Sequence, residues 1–212
     1  MKYKAVIFDL DGVICHTDKY HYQAWKALTD DLNIYFDEEI NNRLRGVSRM
    51  DSFNIILEKY NKPMAEIEKV THAERKNNIY KELLKNMSPE DLSNEVKETL
   101  DALRDKGLRL AIGSSSKNAR FILKQIGLED YFDEISDGNN ITHSKPDPEV
   151  FLKAAEYLKI EPEECLVIED AVAGLKAADA ANMDSAAIGD AVASHMATYD
   201  LNNFCELKDI TA

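Results

Sequence analysis

The chain has 212 residues, 44% of them hydrophobic, enough to bury one good core or a core with a smaller appended domain. Its 26 basic and 39 acidic side chains leave a net charge of −13. That charge repels the phosphates of nucleic acids and anionic membrane surfaces at long range, so neither is expected as a partner, and an anionic ligand must be drawn by a local cluster of cations or by a metal.

The N-terminus reads MKYKAVIFDLDG. Its apolar run is short and is broken by two aspartates, so no signal peptide is expected. No later stretch approaches the roughly 20 apolar residues that span a bilayer. Cys15, Cys165 and Cys205 are odd in number and widely spaced, without a CxxC pair, which suggests neither a disulfide framework nor a zinc site. A soluble, cytoplasmic protein is the expectation.

Residues 3–8 form the first strand-like run and lead into Asp9 and Asp11. From about residue 17 to 87 the apolar residues fall at helical spacing: Ala24, Trp25, Leu28 and Leu32; then Phe53, Ile56, Leu57 and Tyr60; then Ile79, Tyr80, Leu83 and Leu84. Ser48 and Asp51, three apart, read as a cap for the second of these helices. Beyond Val96 short apolar runs recur at 108–112, 132–135, 165–168 and 185–188 with helix-length amphipathic segments between most of them, the rhythm of a parallel sheet. Gly107 and Gly127 stand where left-handed helix caps stand, and Asp147-Pro148 supplies an N-cap and a first-turn proline. The spacing predicts an α/β core from residues 1–15 and 88–212, split by an all-helical insert at 16–87 that closes over a sheet edge as a lid.

In open α/β sheets ligands gather beyond the carboxyl ends of the strands. The residues there are Asp9 and Asp11, then Ser114, Ser115 and Ser116, then Ser144 and Lys145 before a helix, then Glu169 and Asp170. Asp9, Asp170 and Glu169 suit a hard divalent ion, and magnesium favours one or two carboxylates with waters and a phosphate oxygen. Asp9 is then placed to attack phosphorus, Asp11 to give and take the proton, and Ser114 and Lys145 to hold the phosphoryl oxygens. Asp9 and Asp11 share a face if strand geometry continues as far as Asp11. Each element also has a structural reading: a turn for the aspartates, a helix cap for the serines with Ser116 the cap, a solvated loop for Lys145, helix-start acids for Glu169 and Asp170. The functional reading rests on all four coinciding at four strand ends.

The segments FDLDG, GSSS, SKPDPEVF and VIEDAVAGLKAA resemble, in order and approximate spacing, the four motifs of the haloacid dehalogenase-like phosphotransferase superfamily. The resemblance implies a Rossmann-like parallel core with a helical cap, an aspartyl-phosphate intermediate, and Mg2+ held by the Asp9 carboxylate, the Asp11 backbone carbonyl, Asp170 and Glu169. The segments TDKYHYQAWKAL, RLRGVSRMDS and ERKNNIY look like the cap of the superfamily's sugar-phosphate mutases. By that likeness Thr17 lies at the hinge, and His21 positions the acid/base and protects the phosphoenzyme from water. Arg45, Gly46 and Arg49 approach the distal phosphate, while Trp25, Ser52, Lys76, Ser116 and Asn118 contact the sugar or its phosphates. From the residues alone, Trp25 reads equally as core, His21 as surface and Arg49 as a solvated first-turn residue. Two departures stand out: His16 where an acidic residue is common, and the tail AVASHMATYDLNNFCEL, which diverges from the family.

The function expected is isomerisation of a hexose phosphate by a monomer, through a sugar bisphosphate and a phosphorylated Asp9. A sugar-phosphate phosphatase uses the same core with water as acceptor. A receiver-like phospho-acceptor domain is the non-enzymatic rival, and it leaves the helical insert and Asp11 unexplained.

Overall fold

The computed structural model describes residues 2–44 and 47–211. Six strands form one sheet: β1 (Ala5–Phe8), β2 (Arg109–Gly113), β3 (Glu134–Ser136), β4 (Cys165–Glu169), β5 (Asp184–Ala187) and β6 (Tyr199–Asp200). Every pair is parallel and the order is β3-β2-β1-β4-β5-β6. The five apolar runs are strands to within about two residues at either end. The sixth strand has two residues, paired to Ala186 and Ala187, with the Tyr199 hydroxyl accepting from Tyr3 at 3.0 Å; no apolar alternation in the diverged tail announces it.

The central strands are covered on both faces. Val6 and Phe8 of β1 pack with Leu110, Ile112, Leu166 and Ile168 in one core, whereas Ala5 and Ile7 pack with Ala111, Cys165 and Val167 in another. A strand buried on both sides has no place for alternating polar residues, and this is why these runs are continuously apolar.

The helices are α1 (Asp18–Leu32), α2 (Glu38–Asn42), α3 (Arg49–Leu57), α4 (Glu66–Leu84), α5 (Asn94–Asp105), α6 (Ala119–Gln125), α7 (Glu149–Leu158), α8 (Val172–Ala180) and α9 (Leu207–Ile210). Leu100 and Leu103 of α5, Ile122 and Leu123 of α6 and Leu207 of α9 cover one face of the sheet. Val150, Phe151 and Ala154 of α7 and Ala177 and Ala178 of α8 cover the other. Gly107 and Gly127, with φ of +83° and +79°, end α5 and α6 as expected.

Two helix starts differ from expectation. Pro148 is the residue before α7 and not in its first turn, although the Asp147 carboxylate still accepts the Glu149 N–H at 3.0 Å. Ser116 is not the cap of α6, which begins at Ala119 after Asn118; its hydroxyl accepts the Asn118 N–H at 3.2 Å instead. Ser48 does cap α3, accepting the Asp51 N–H at 3.2 Å.

The helices α1 to α4 follow β1 with no strand among the described residues between them. Trp25, Leu28, Phe36, Ile40, Phe53 and Ile56 form a core of their own. Tyr20 and Ala24 of α1 and Tyr80 and Leu84 of α4 instead join the larger core of the sheet. These two helices therefore brace the helical block against the sheet.

Two glycines shape the loops that carry acids. Gly12 has φ of +92°, and a Cβ there would overlap the Asp170 carboxylate. A Cβ at Gly174, in α8, would overlap the Glu169 carboxyl group. Alanine gains about 1 kcal/mol over glycine in a helix, whereas forced overpacking costs about 1–3 kcal/mol. Gly174→Ala is therefore expected to destabilise, lowering the thermal midpoint by about 2–6 °C; a raised midpoint in a melting curve would contradict this close approach.

Candidate active site

The strand order reverses between β1 and β4. At such a point the connections leave in opposite directions and open a crevice at the carboxyl ends of the strands. Asp9 follows β1, Ser114 follows β2, and Glu169 closes β4 with Asp170 next to it. They line one cleft of about 540 Å³, whose opposite wall is supplied by His21, Trp25, Arg49, Ser52, Lys76 and Asn77 of the helical block. This volume suits a small-molecule ligand.

Lys145 organises the floor. Its Nζ donates to Asp9 Oδ1 at 2.6 Å and forms a second, short ion pair with Glu169. All three groups are buried. Burial pulls the Lys145 pKa down, but the charges of Asp9 and Glu169 outweigh it and hold the ammonium above its ordinary value. Burial raises Glu169 against the pull of Lys145. Burial, followed by the charges of Asp9 and Glu169, pushes Asp170 up to about 8.

One ammonium therefore faces three carboxylates, and Asp170 has the least compensation. Carboxylate oxygens of Asp9, Glu169 and Asp170 lie within 4.8 Å of one another. A cluster of hard oxygen donors short of positive charge fits a divalent cation such as magnesium.

Asp11 does not continue the strand. β1 ends at Phe8, and Asp11 sits in a turn that bridges to Cys15. The turn nevertheless brings its side chain into the cleft beside Asp9. The buried Thr17 hydroxyl donates a short hydrogen bond to Asp11 Oδ1. Burial and then the charge of Asp9 lift the Asp11 carboxyl to about 7, with Thr17 pulling the other way. A carboxyl that carries its proton near neutrality is suited to general acid/base work.

The serine loop lies close to this floor. Ser114 is buried and its hydroxyl accepts the Ser116 N–H at 3.2 Å. Ser115, Ser116, Asn118 and Ser144 line the same cleft.

On the helical wall, Lys76 is buried with its Nζ 2.8 Å from His21 Nδ1. Burial, and then the nearby cations, lower both groups: Lys76 and Arg49 act on His21, and Arg49 acts on Lys76. Trp25 is buried and stacks on Phe53 at 5.6 Å between centroids, so it belongs both to the block's core and to the cleft wall. Arg45 and Gly46 lie outside the described residues.

Among the lining residues not singled out from the sequence, three carry polar groups with identifiable roles in the wall. Asn77 accepts the Asn118 side-chain N–H at 3.0 Å, a buried bond between the helical block and the core. Asp18, at the start of α1, adds another carboxylate to the lining. Glu74 pairs with Arg49 at 3.3 Å. Helical spacing from Lys76 places Asn77 and Glu74 on α4, but neither pairing is visible without the tertiary fold.

Glu74 occupies one side of the Arg49 guanidinium, and its charge would repel an anionic ligand there. Glu74 is exposed and Arg49 partly buried, so the pair's intrinsic worth is modest, about 1 kcal/mol. Glu74→Gln is expected to lower KM for a phosphorylated substrate by about two- to fivefold with kcat little changed, consistent with that scale. Steady-state kinetics at low and high salt would check it, the difference shrinking at high salt.

Comparison with known proteins gives four findings. Residues 3–182 match the haloacid dehalogenase-like hydrolase family. Over 192 residues the chain is 40% identical to a β-phosphoglucomutase of Bacillus subtilis, covering 88% of this chain and 83% of that one. Over 185 residues it is 30% identical to a phosphorylated carbohydrates phosphatase of Thermotoga maritima, covering 85% and 82%. Among solved structures, β-phosphoglucomutase from Clostridium difficile superposes with a TM-score of 0.89 at 38% identity, covering 97% of this chain and 93% of that one.

Proposed function

Since the chain belongs to the haloacid dehalogenase-like hydrolase family, we propose that it is a β-phosphoglucomutase. It would interconvert β-D-glucose 1-phosphate and D-glucose 6-phosphate through β-glucose 1,6-bisphosphate. Residues 1–15 and 88–212 act as the catalytic core and 16–87 as the cap that selects the substrate.

An Asp9 oxygen attacks the phosphorus, the bond from phosphorus to the sugar oxygen breaks, and Asp11 delivers its proton to that oxygen. The sugar then presents its other hydroxyl to the aspartyl phosphate. Asp11 takes the hydroxyl proton as the new phosphorus–oxygen bond forms and Asp9 is released. Lys145, paired to Asp9, and Ser114 hold the phosphoryl oxygens, while Ser116 and Asn118 serve the sugar end. The Asp9 and Asp170 carboxylates and the Asp11 carbonyl would hold Mg2+, with Glu169 completing the cluster. When bound, the ion neutralises phosphoryl charge.

The observation that carries this reading is a second cationic locus. Arg49 and Lys76 face the nucleophile from the helical wall of the same cleft. A mutase must hold a bisphosphate in either orientation, and so needs cations at both ends. A phosphatase needs only the floor. The likeness to the Thermotoga maritima phosphatase keeps hydrolysis of a sugar phosphate as the second reading.

The test is purified protein with Mg2+, β-glucose 1-phosphate and a trace of β-glucose 1,6-bisphosphate, with glucose 6-phosphate and free phosphate followed side by side. The mutase gives glucose 6-phosphate with little free phosphate, and the product vanishes on chelation. Free phosphate matching substrate loss would make it a phosphatase.

A further inference from the structure

Lys76 is a buried ammonium flanked by aromatic faces. Its Nζ lies 4.6 Å from the centroid of the Tyr80 ring and 4.9 Å from that of Trp25. Among the described residues no carboxylate forms an ion pair with it; Asp11 acts on it only at longer range. The Tyr80 ring also stacks on His21, with centroids 4.0 Å apart and planes at 28°.

The sequence builds this group from two interlocking pairs. His21 and Trp25 are four residues apart on α1, and Lys76 and Tyr80 are four apart on α4, so each pair shares one helix face. Each helix thus presents a polar group with an aromatic ring one turn further along. The Tyr80 hydroxyl is buried beside Thr17, whose own hydroxyl is given to Asp11, and it makes no well-formed hydrogen bond among the described residues. The face that Tyr80 turns to His21 and Lys76 is its ring.

A carboxylate in place of these rings would cancel the charge of Lys76 and repel an anionic substrate. Ring faces attract the ammonium through their quadrupole while adding no net charge. They also leave its N–H groups available. Burial and Arg49 oppose the charge on Lys76; with its proton kept, the ammonium has no lone pair, and the contact with His21 Nδ1 is then a bond donated by Lys76. That fixes the imidazole proton on Nε2. The stack fixes the plane of the ring.

We propose that Tyr80 is a positioning residue for phosphoryl transfer: its ring locks the His21–Lys76 pair, setting the tautomer and aim of the imidazole, with Trp25 closing the other side of the ammonium. The consequence is selection of the acceptor. With the pair locked, the phosphoenzyme waits for a sugar hydroxyl; with it loosened, water competes. This rests on the mutase reading above.

The test compares Tyr80→Leu with Tyr80→Phe in the full chain. One readout is the ratio of free phosphate to glucose 6-phosphate, which does not depend on the fraction of folded enzyme. The other is the tautomer of His21, read from its imidazole 15N shifts and assigned with His21→Gln. Tyr80→Leu is expected to raise the ratio by about 30-fold, the scale of one desolvated cation–π contact, and to give a mixture of tautomers. Tyr80→Phe restores the ring, and should restore the ratio to within about twofold with the Nε2–H form alone.

A wild-type ratio and tautomer in Tyr80→Leu would overturn the proposal, and so would equal damage from both variants, which places the role in the hydroxyl. If the leucine variant does not fold, Tyr80→Met fills the space and carries the same expectations. If the wild-type protein releases only phosphate, the mutase reading fails, and the tautomer comparison alone decides the role of Tyr80.

Discussion

Asp9→Asn is expected to reduce turnover by at least about 10⁴-fold, as loss of a nucleophile does elsewhere, while the protein stays folded. The amide is isosteric with the carboxylate but lacks a nucleophilic oxygen. Its carbonyl can still accept from Lys145, and Glu169 still compensates the buried ammonium, so little stability is at stake. Asp11→Asn should behave differently. It cannot supply the proton that a sugar leaving group needs, so turnover of a sugar phosphate should fall by about 10²–10⁴-fold. An activated donor such as acetyl phosphate needs no such proton, and should still phosphorylate Asp9. Intact-mass measurement separates the two variants: one phosphoryl group on Asp11→Asn with acetyl phosphate, and none on Asp9→Asn. A phosphorylated Asp9→Asn protein would move the nucleophile to another residue.

The floor of the cleft was legible in the sequence because it is local. Asp9, Ser114, Glu169 and Asp170 each stand within a residue or two of a continuous apolar run, and a parallel sheet places all such ends on one rim. The helical insert was legible by period. Asp11 reached the expected place by a different route, through a turn that bridges to Cys15 and not along an extended strand. Pairings between distant elements were not legible: Lys145 spanning Asp9 and Glu169, Asn118 meeting Asn77, and Glu74 meeting Arg49. Helical spacing says that Tyr80 is on the buried face of α4, and it is. It places Lys76 one turn away on the same face, but it cannot say that the ring also lies against a histidine from α1. β6 was missed for a related reason, since two residues held by pairing to β5 leave no pattern of their own.

Lys145→Met tests the electrostatics of the floor through folding as well as through activity. Methionine fills most of the volume but leaves Asp9 and Glu169 buried with no counter-charge. Breaking a buried pair in this way costs about 3–5 kcal/mol, and turnover is lost with it. The cost should depend on pH with a definite sign. Burial already raises Glu169 in the native protein, and removing the ammonium raises it further. A native state whose carboxyl pKa exceeds the unfolded value binds more protons than the unfolded state between the two values, so stability falls as pH rises through that window. Urea denaturation should therefore show a small deficit for the variant at pH 5, where the native carboxyl can keep its proton, and a larger one at pH 8, where keeping or losing it is costly. Lys145 itself titrates above this range, so its own ionisation does not blur the comparison. Adding Mg2+ at pH 8 should recover part of the deficit, because the same acids that lose an ammonium gain a divalent charge. An equal deficit at both pH values would mean that Lys145 contributes packing and not compensation of Asp9 and Glu169.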